Sequence, residues 1–391
     1  MKVAVVVSCL KLGGMERVAV NLADAFAHSG YDSHLIYFKN RQKQILPRNE
    51  AVKLHLFDLK KWVLLTGVGS LWFIICKLIN IFFRKTFPHF FAYAQAIAFR
   101  YKLRKLEKKN GRFDLIVFRG QGTFGQIWPF KDNRFVFVCE SVQNKHLYAG
   151  LSRWVFSSLF ENRNVACVSN GAKDSFLDLT KEHKIDCRTV LQISNPNDYQ
   201  MIRKDALQPI NIDLLHPNPY ILGLGRLVPL KNFTLLIQAY HYARLHFGLE
   251  QDLVIVGEGK DREQLEKKVS ELGLHQNVFF KGAQTNPFPW YKQADLFVLS
   301  SKSEGLGMVL IEALACGTRV VSTDSPGGVR DIMQGELSRF LAEQDAKSLA
   351  RKIQLSLNHT PSEELNNDIN KALIRFDQDF IVEQYVQEFI Q

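Results

Sequence analysis

The sequence lacks the cysteine pattern of a disulfide-stabilised or zinc-binding protein. Its six cysteines are spread over 391 residues, and no two of them stand in a Cys-x-x-Cys spacing. Small secreted domains and zinc modules depend on closely spaced cysteines. The spacing therefore argues against both classes, and it favours a protein of a reducing compartment without a bound metal.

The sequence also lacks an apolar run of the length that a membrane-spanning helix needs. The segment from Trp62 to Cys76 is apolar, but it contains two glycines and is followed by Lys77. A spanning helix takes about 20 apolar residues. Residues 1–8 are too short for the apolar core of a signal peptide, and they have the composition of a buried strand. These features predict a cytoplasmic protein.

Two glycine-bearing loops that follow predicted strands do not carry the G-x-G-x-x-G fingerprint of dinucleotide binding. The first contains Gly13-Gly14, and the second, Gly257-Glu258-Gly259, continues directly into Lys260. Glycine lets a backbone approach a ligand closely, although a plain tight turn uses it just as often. Both loops are candidates for ligand contact without being dinucleotide sites.

Acidic residues are scarce in the first quarter of the chain. Residues 1–110 contain 19 of the 50 Lys and Arg but only 6 of the 39 Asp and Glu, a balance of +13. The remainder has a balance of −2, so the net charge of +11 comes entirely from this first part. A local excess of this kind points to an anionic partner.

Residues 60–109 are rich in aromatic and basic side chains. The segment ends in a basic cluster that consists of Arg100, Lys102, Arg104, Lys105, Lys108 and Lys109. Aromatic and basic residues together are typical of a helix that lies in the headgroup region of an anionic membrane. A pair of helices packed on the domain, with solvated lysines, would give the same pattern. We expect the anionic inner face of the cell membrane as a partner, and no nucleic acid.

Predicted strands and helices alternate over most of the chain, which indicates the α/β class with parallel sheets. Because 391 residues exceed what a single core usually holds, we predict two domains, 1–200 and 201–375, with a final helix over 376–391 that packs back on the first. The stretch with Pro209, Pro217 and Pro219 is predicted to be the linker.

The C-terminal half is organised around residues 303–317, Ser-Glu-Gly-Leu-Gly-Met-Val-Leu-Ile-Glu-Ala-Leu-Ala-Cys-Gly. Predicted strands on both sides make this a strand–loop–helix–strand unit, with a helix from about Met308 that Gly317 terminates. Such sheets bind ligands at the carboxyl ends of their strands, and the first amides of the helix favour an anion. Glu304 and Glu312 flank that anion site, which suits a sugar nucleotide. Two solvent-facing glutamates would be the other interpretation.

Further candidate residues stand in loops after other predicted strands. Arg226 and Lys231 bracket a strand-to-helix loop and are suited to a diphosphate. Glu140 is a candidate for orienting an acceptor hydroxyl, although a plain loop carboxylate fits as well. His146 and His183 are interpreted as surface residues. The loop 283–290 is a candidate base pocket.

These motifs together resemble the retaining glycosyltransferases of family 4. The resemblance rests on Gly225-Arg226 with Lys231-Asn232, Val256-Gly257-Glu258-Gly259, and Ser303-Glu304-Gly305-Leu306-Gly307 with Glu312-Ala313 and Gly317. Their order and spacing match across residues 220–330, and Gly13-Gly14-Met15-Glu16-Arg17 and the closing helix also fit. The resemblance implies two Rossmann-like domains that face each other across a cleft, the GT-B architecture.

The resemblance also implies roles for the matching positions. Arg226 and Lys231 would hold the donor diphosphate, and Glu312 would bind the ribose. The donor sugar would be held by Glu304 together with the amides of Leu306, Gly307 and Met308, while Gly13-Gly14 would close over the phosphates. No cofactor or metal is implied. Family members often have phenylalanine where Leu306 stands, and many have a histidine in the acceptor loop that here reads Cys139-Glu140-Ser141.

The sequence therefore predicts a retaining glycosyltransferase that moves a hexosyl or N-acetylhexosaminyl residue from a nucleotide sugar, a UDP-sugar first, to a growing lipid-linked surface glycan. It would work in the cytoplasm, attached peripherally to the membrane. The basic segment and the intact set of Arg226, Lys231, Glu304 and Glu312 argue against two alternatives. The first is a sugar-nucleotide epimerase, or a glycogen-type phosphorylase or synthase, of similar architecture. The second is a membrane-bound sugar-nucleotide-binding protein without turnover.

Overall fold

Strands and helices alternate along the chain and divide it into two units. The computed structural model describes residues 1–11, 13–39, 43–143, 151–211 and 214–390. The first unit comprises Met1–Asn197 and Gln378–Gln391, and the second comprises Asp198–Asp377. The chain therefore leaves the first unit near the boundary predicted at 200 and returns to it for the last helix.

The strands of the described residues pair in parallel throughout two sheets. They are β1 (Lys2–Val7), β2 (Asp32–Tyr37), β3 (Lys53–Leu56), β4 (Leu115–Arg119), β5 (Phe135–Cys139), β6 (Asn164–Cys167), β7 (Thr189–Gln192), β8 (Tyr220–Leu224), β9 (Asp252–Val256), β10 (Val278–Phe280), β11 (Leu296–Leu299), β12 (Arg319–Thr323) and β13 (Leu341–Ala342).

Helices connect the strands and cover both sheets. They are α1 (Gly14–His28), α2 (Leu59–Leu64), α3 (Gly67–Phe82), α4 (Phe87–Asn110), α5 (Gln121–Phe124), α6 (Leu151–Phe160), α7 (Asn170–His183), α8 (Tyr199–Ala206), α9 (Phe233–Phe247), α10 (Arg262–Glu271), α11 (Phe288–Gln293), α12 (Met308–Ala315), α13 (Val329–Ile332), α14 (Ala346–Asn358), α15 (Glu363–Arg375) and α16 (Gln378–Phe389). A 3-10 helix spans Gly335–Phe340.

The strand order places a ligand-binding edge in each sheet. In the described part of the chain the order is β3-β2-β1-β4-β5-β6-β7 in the first unit and β10-β9-β8-β11-β12-β13 in the second. The order reverses between β1 and β4, and again between β8 and β11. Open α/β sheets bind ligands beyond the carboxyl ends of the strands at such reversals. The loops after these four strands are therefore where each unit offers a site.

The central strands are apolar over nearly their whole length because helices cover both faces of a parallel sheet. In β1, every residue from Val3 to Val7 is fully buried. Val5 lies in register with Leu35 of β2 and with Val117 of β4. The same burial explains why these strands were recognisable as continuous apolar runs.

The structure corrects two sequence interpretations and adds detail to a third. The chain passes from the first unit to the second between Asn197 and Asp198, so the stretch with Pro209, Pro217 and Pro219, predicted as the linker, lies inside the second unit after α8. The loop 283–290, a candidate base pocket, runs into α11, whose Trp290 and Tyr291 are buried in the core. Strand β3 was not predicted, because its Lys-Leu-His-Leu sequence alternates and lies at the sheet edge with mostly exposed side chains.

The basic and aromatic segment forms α2, α3 and α4. Trp72 of α3 donates its indole N–H to the Phe90 carbonyl of α4 at 3.1 Å, and Phe73 packs edge-on against Phe87 and Phe91. The opposite face of α3 is exposed. Among the described residues, none of the helices is both long and apolar enough to span a membrane.

Candidate active site

The strand-order reversal of the second unit brings together a lysine and a glutamate from distant parts of the sequence. Lys231, in the loop after β8, places Nζ 2.6 Å from Oε1 of Glu304, in the loop after β11. Ser301 donates its hydroxyl to the same Oε1 at 2.5 Å. Both charged side chains are largely buried, with 18% and 11% of their surface exposed. The pair is therefore held firmly at the ligand-binding edge.

Backbone contacts fix the two loops that carry this pair. The Lys302 amide donates to the Leu230 carbonyl at 2.8 Å, and the Ser300 hydroxyl donates to the Lys231 carbonyl at 3.0 Å. The Glu304 amide donates in turn to the Pro326 carbonyl at 3.0 Å. Glu304 is thus held from two sides by neighbouring loops, which pre-organises its carboxylate.

Glycines allow the loops after β8 and β9 to pack against each other. Gly257 has φ 147°, and a Cβ at this position would clash with the Gly225 carbonyl. A Cβ on Gly259 would clash with the Leu227 carbonyl in the same way. We predicted Gly257 to be a ligand-approach residue. The structure shows a close approach of one loop backbone to another, which shapes the loop that carries Arg226.

The first turn of α12 presents backbone amides beside Glu304. Gly307 precedes the helix with φ 98°, a conformation that favours glycine. The first amides of a helix have no intrahelical partner and carry partial positive charge. Gly317, with φ 80°, follows the helix end as predicted. The Leu306 side chain is buried, so this residue can offer only its backbone to a ligand.

Glu312 lies in the second turn of α12. The hydroxyl of Tyr291, a fully buried residue of α11, donates to its Oε2 at 3.2 Å. Arg226 is exposed at the start of the loop after β8. The four predicted donor-site residues therefore all lie in the second unit, where the structure pairs Lys231 with Glu304 and holds Glu312 through Tyr291.

The strand-order reversal of the first unit has a pocket of its own. It has a volume of about 100 Å³, and its lining includes Met15, Gly120 and Glu140. Gly13 precedes α1, and Gly14 is its first residue, directly before Met15. A Cβ on Gly120 would clash with the Met15 side chain, so glycine is needed where α1 meets the loop after β4.

Glu140 is held by an arginine that the sequence reasoning left without a role. Arg119 ends β4 and is fully buried; its Nη2 donates to Glu140 Oε2 at 2.7 Å and to Asn195 Oδ1 at 2.6 Å. Burial raises the pKa of the Glu140 carboxyl, while Arg119 and the Gly120 amide oppose that rise. Glu16 adds to the rise through its own negative charge.

Several site residues were missed, and some of them had a visible signal. Arg119 is a lone cation at the end of an apolar strand, and Ser300-Ser301 follow β11 directly. Gly120, Gly122 and Gly125 have the G-x-G-x-x-G spacing, but they bracket the four-residue helix α5 and do not lead into the long helix of a dinucleotide site. Tyr291 had no such signal.

His183 takes no part in either site. His183 was predicted at the surface, but it is half-buried with its ring edge-on to Phe156. His146 lies outside the described residues. Within the described part of the chain, no group of three or more His, Cys, Asp or Glu is arranged to hold a metal ion.

Comparison with known proteins shows that the sequence of the second unit matches a known family. Residues 210–375 match the model of the family "Glycosyl transferases group 1". The second unit carries the group 1 glycosyl transferase pattern. Over 195 residues the chain is 32% identical to an N-acetylgalactosamine-N,N'-diacetylbacillosaminyl-diphospho-undecaprenol 4-alpha-N-acetylgalactosaminyltransferase of Campylobacter jejuni. This alignment covers 50% of this chain and 51% of that protein.

Two further likenesses extend the comparison. The chain is 30% identical over 233 residues to the lipopolysaccharide core biosynthesis glycosyltransferase LpsE of Rhizobium meliloti, covering 59% of this chain and 65% of that protein. The alignments thus span less than two thirds of these two relatives. The crystal structure of Anabaena Alr3699/HepE in complex with UDP and glucose superposes with a TM-score of 0.70 over 99% of this chain and 98% of that one, at 19% identity. The fold is GT-B, built from two Rossmann-like parallel sheets.

Proposed function

We propose that this chain is a retaining glycosyltransferase that moves a hexosyl or N-acetylhexosaminyl residue from a nucleotide sugar to a growing, lipid-linked surface glycan. The observation that carries the proposal is the Lys231–Glu304 pair, 2.6 Å apart at the strand-order reversal of the second unit and beside the first turn of α12. A cation, a carboxylate and free helix amides within one edge suit a sugar diphosphate, which has an anionic centre and hydroxyls beside it.

The donor-site residues have separate roles in this proposal. Arg226 and Lys231 bind the diphosphate, and the amides of Leu306, Gly307 and Met308 extend that anion site. Glu304 accepts hydrogen bonds from the sugar hydroxyls, and Glu312 accepts from the ribose. An ammonium has three donors, so Lys231 can keep its contact with Glu304 while it donates to a phosphate oxygen. No cofactor or metal takes part in this scheme.

The chemistry depends on where charge develops. When the bond between sugar and diphosphate breaks, positive charge grows on the sugar ring and negative charge on the departing diphosphate. Pre-organised cations and amides stabilise that negative charge, an effect commonly worth about 3 kcal/mol for a single donor. The departing phosphate takes the proton of the acceptor hydroxyl on the same face of the sugar, which gives retention of configuration. Glu140 orients the acceptor hydroxyl from the first unit.

The identity of the substrates is supported by the relatives. The Campylobacter relative is named for transfer of N-acetylgalactosamine to a diphospho-undecaprenol-linked sugar, and the Rhizobium relative for lipopolysaccharide core synthesis. The Anabaena structure contains UDP and glucose. We therefore place a UDP-sugar first among the donors and a lipid-linked glycan first among the acceptors.

An exposed apolar face supports attachment to a membrane surface. The large apolar side chains exposed on and beside α3 recur at helical spacing: Leu65, Val68, Leu71, Ile74, Ile75, Leu78, Ile81, Phe82 and Phe83. Residues 59–106 contain nine Lys and Arg and no Asp or Glu. A helix that exposes an apolar face and is surrounded by basic residues is suited to lie in the interface of an anionic bilayer. We propose that α3 holds the protein at the inner face of the cell membrane, close to a lipid-linked acceptor.

The donor assignment is tested with a panel of UDP-, GDP- and ADP-sugars. The purified protein should slowly release the nucleoside diphosphate from one of them with water as acceptor. Lys231→Ala should lower this rate by about 100-fold or more, the range seen when one stabilising donor is removed, and Glu304→Ala should also lower it strongly.

Lys281→Ala is the matched control, because Lys281 is a partly buried lysine of the same unit that follows β10 and not β8. It should retain most of the release rate. No release from any sugar nucleotide by the wild-type protein would favour a binding protein without turnover. An unaltered rate in Lys231→Ala would place the diphosphate elsewhere.

A further inference from the structure

Arg119 is a fully buried cation of the first unit that the donor chemistry does not use. It is 0% exposed. A single nitrogen, Nη2, donates to both Glu140 Oε2 and Asn195 Oδ1. The buried Nε and Nη1 have no hydrogen-bond partner within the described part of the chain. Tyr385 of α16, also fully buried, has its hydroxyl beside this guanidinium, and burial raises its pKa to about 12.

This arrangement is poor for stability. A buried guanidinium that leaves two nitrogens unpaired is destabilising, and well-packed apolar residues in place of a buried ion pair often increase stability. Local departures from good packing chemistry concentrate at functional sites. The stability of the fold therefore does not explain why an arginine is buried at this position.

The explanation lies in the position of Glu140. Glu140 lines the 100 Å³ pocket at the strand-order reversal between β1 and β4, and 22% of its side chain is exposed. Arg119 lies behind Glu140 and is not part of the pocket lining. The Arg119 side chain therefore meets the pocket through its hydrogen bond to the Glu140 carboxylate.

We propose that Arg119 is a positioning residue of the acceptor site: its buried guanidinium, anchored by Asn195, orients the Glu140 carboxylate to accept a hydrogen bond from a sugar hydroxyl in the pocket. This inference rests on the proposed function, because the hydroxyl belongs to the acceptor glycan. Glu140 touches the acceptor and Arg119 acts only through it.

The charged and titratable groups around Glu140 predict how its titration changes when Arg119 is removed. Within the described part of the chain, the charged and titratable groups that face Glu140 are Arg119 on β4, Glu16 on α1, Cys139 on β5 and Tyr385 on α16. Burial and Glu16 favour the protonated carboxyl, whereas Arg119 favours the carboxylate. Removal of the guanidinium should therefore move the Glu140 titration to higher pH, and a purely structural arginine elsewhere in the unit would leave it in place.

The titration is measured by infrared difference spectroscopy, with Glu140→Gln as the reference that identifies the Glu140 carboxylate band. In Arg119→Met the band should appear at higher pH than in the wild type, and Arg119→Lys should restore part of the difference. Arg163→Met is the matched control, because Arg163 is also buried and bonds the carbonyls of Trp128 and Phe130. Equal titration in the wild type and Arg119→Met would overturn the proposal.

Stability and turnover separate the positioning role from a structural one. The double variant Arg119→Met/Glu140→Gln should unfold at least as late on heating as the wild type, because it removes both buried charges. It should nevertheless lose about 100-fold in kcat for UDP release from UDP-glucose, or from the best donor of the panel, because water then takes the place of the acceptor hydroxyl and Glu140 no longer orients it. The KM for that donor should change less than twofold.

The two proposals fail in different ways. Absence of UDP release from the wild-type protein would refute the proposed transferase and leave the infrared titration to decide on Arg119. If Arg119→Met released UDP at the wild-type rate and its Glu140 carboxylate titrated at the same pH as in the wild type, the positioning role would be refuted and the transferase would stand. A double variant with full turnover would also count against the positioning role.

Discussion

At the scale of single residues, the loops of the second unit depend on glycines that no other residue can replace. Gly257→Ala introduces a Cβ that clashes with the Gly225 carbonyl at a φ of 147°. We expect a loss of about 2–4 kcal/mol in the unfolding free energy of the second unit. Urea unfolding followed by hydrogen exchange in β8 and β9 measures this loss.

Gly248→Ala is the control for that substitution. Gly248 also has a positive φ, 66°, but a Cβ there meets no atom within 4 Å. Its replacement should therefore lower stability by only about 1 kcal/mol. Equal effects of the two substitutions would show that backbone conformation, and not the contact between loops, decides the role of Gly257.

A second prediction at this scale concerns two histidines on neighbouring strands. His34 Nδ1 lies 2.8 Å from His55 Nε2, and His34 Nε2 lies 3.1 Å from Asp32 Oδ1. The carboxylate can only accept, so His34 donates from Nε2 and accepts the His55 proton at Nδ1. Burial, reinforced by the neighbouring His34, lowers the pKa of His55 to about 4. Both rings are therefore neutral in the folded protein at neutral pH.

This pair should make the first unit sensitive to acid. Unfolded histidine binds a proton near pH 6.5 and folded His55 only near pH 4, so stability is full above pH 6.5 and falls as the pH drops between these values. His55→Gln keeps a donor toward His34 and should remove about 2 kcal/mol of that loss. Urea unfolding at pH 7 and pH 4.5 measures this loss of unfolding free energy.

His275→Gln, at an exposed histidine, is the control and should leave the pH dependence of stability unaltered. An unaltered pH dependence in His55→Gln would contradict the prediction.

At the scale of secondary-structure elements, α3 is the helix whose exposed face needs a partner. Leu71→Ser/Leu78→Ser removes two side chains that are 59% and 52% exposed. Burial of a leucine is worth about 1.5–3 kcal/mol. The double variant should therefore lose at least about tenfold in binding to vesicles that contain anionic lipid, as measured by flotation.

The control pair comes from the second unit. Leu207→Ser/Leu245→Ser replaces leucines that are 78% and 66% exposed, and it should float like the wild type. Neutralisation of Arg100, Arg104 and Lys105 should weaken flotation by about 1 kcal/mol per charge and in a salt-dependent way. Lys102 is half-buried beside Asp58 and should contribute less. Equal loss in both leucine pairs, or flotation independent of anionic lipid, would refute the membrane role of α3.

At the scale of the whole molecule, the chain path makes the first unit depend on its last helix. Residues 378–391 follow the second unit but pack in the first, where Ile381 is 0% exposed and Tyr385 contacts Phe26 of α1. Ile381→Ala should lower the stability of the first unit by about 2–5 kcal/mol. Phe380→Ala, at a residue that is 42% exposed, should have a much smaller effect. Hydrogen exchange should show the loss in α1 and not in β8 or β11. A loss spread equally over both units would contradict this division.

Local sequence patterns were sufficient to predict most of the strands and helices. β1 and β11 are continuous apolar runs because both faces of a parallel sheet are covered, and the glycines at 307 and 317 mark the ends of α12. β3 escaped prediction because an edge strand needs little apolar sequence. α8 escaped because the prolines that follow it indicated a linker. In each case the missing information was the neighbouring element and not the local sequence.

The sequence by itself determined the α/β class and the candidate residues Arg226, Lys231, Glu304 and Glu312, because turn chemistry and apolar periodicity act over a few residues. The GT-B likeness came from the resemblance of its motifs to a known family. Only the tertiary structure decided that Lys231 pairs with Glu304, and that Arg119 holds Glu140 and Asn195. The partners of Arg119 stand 21 and 76 residues away in the chain. Parallel strands bring such residues together at one edge of a sheet, and the order of the strands, which no local pattern encodes, selects which loops meet.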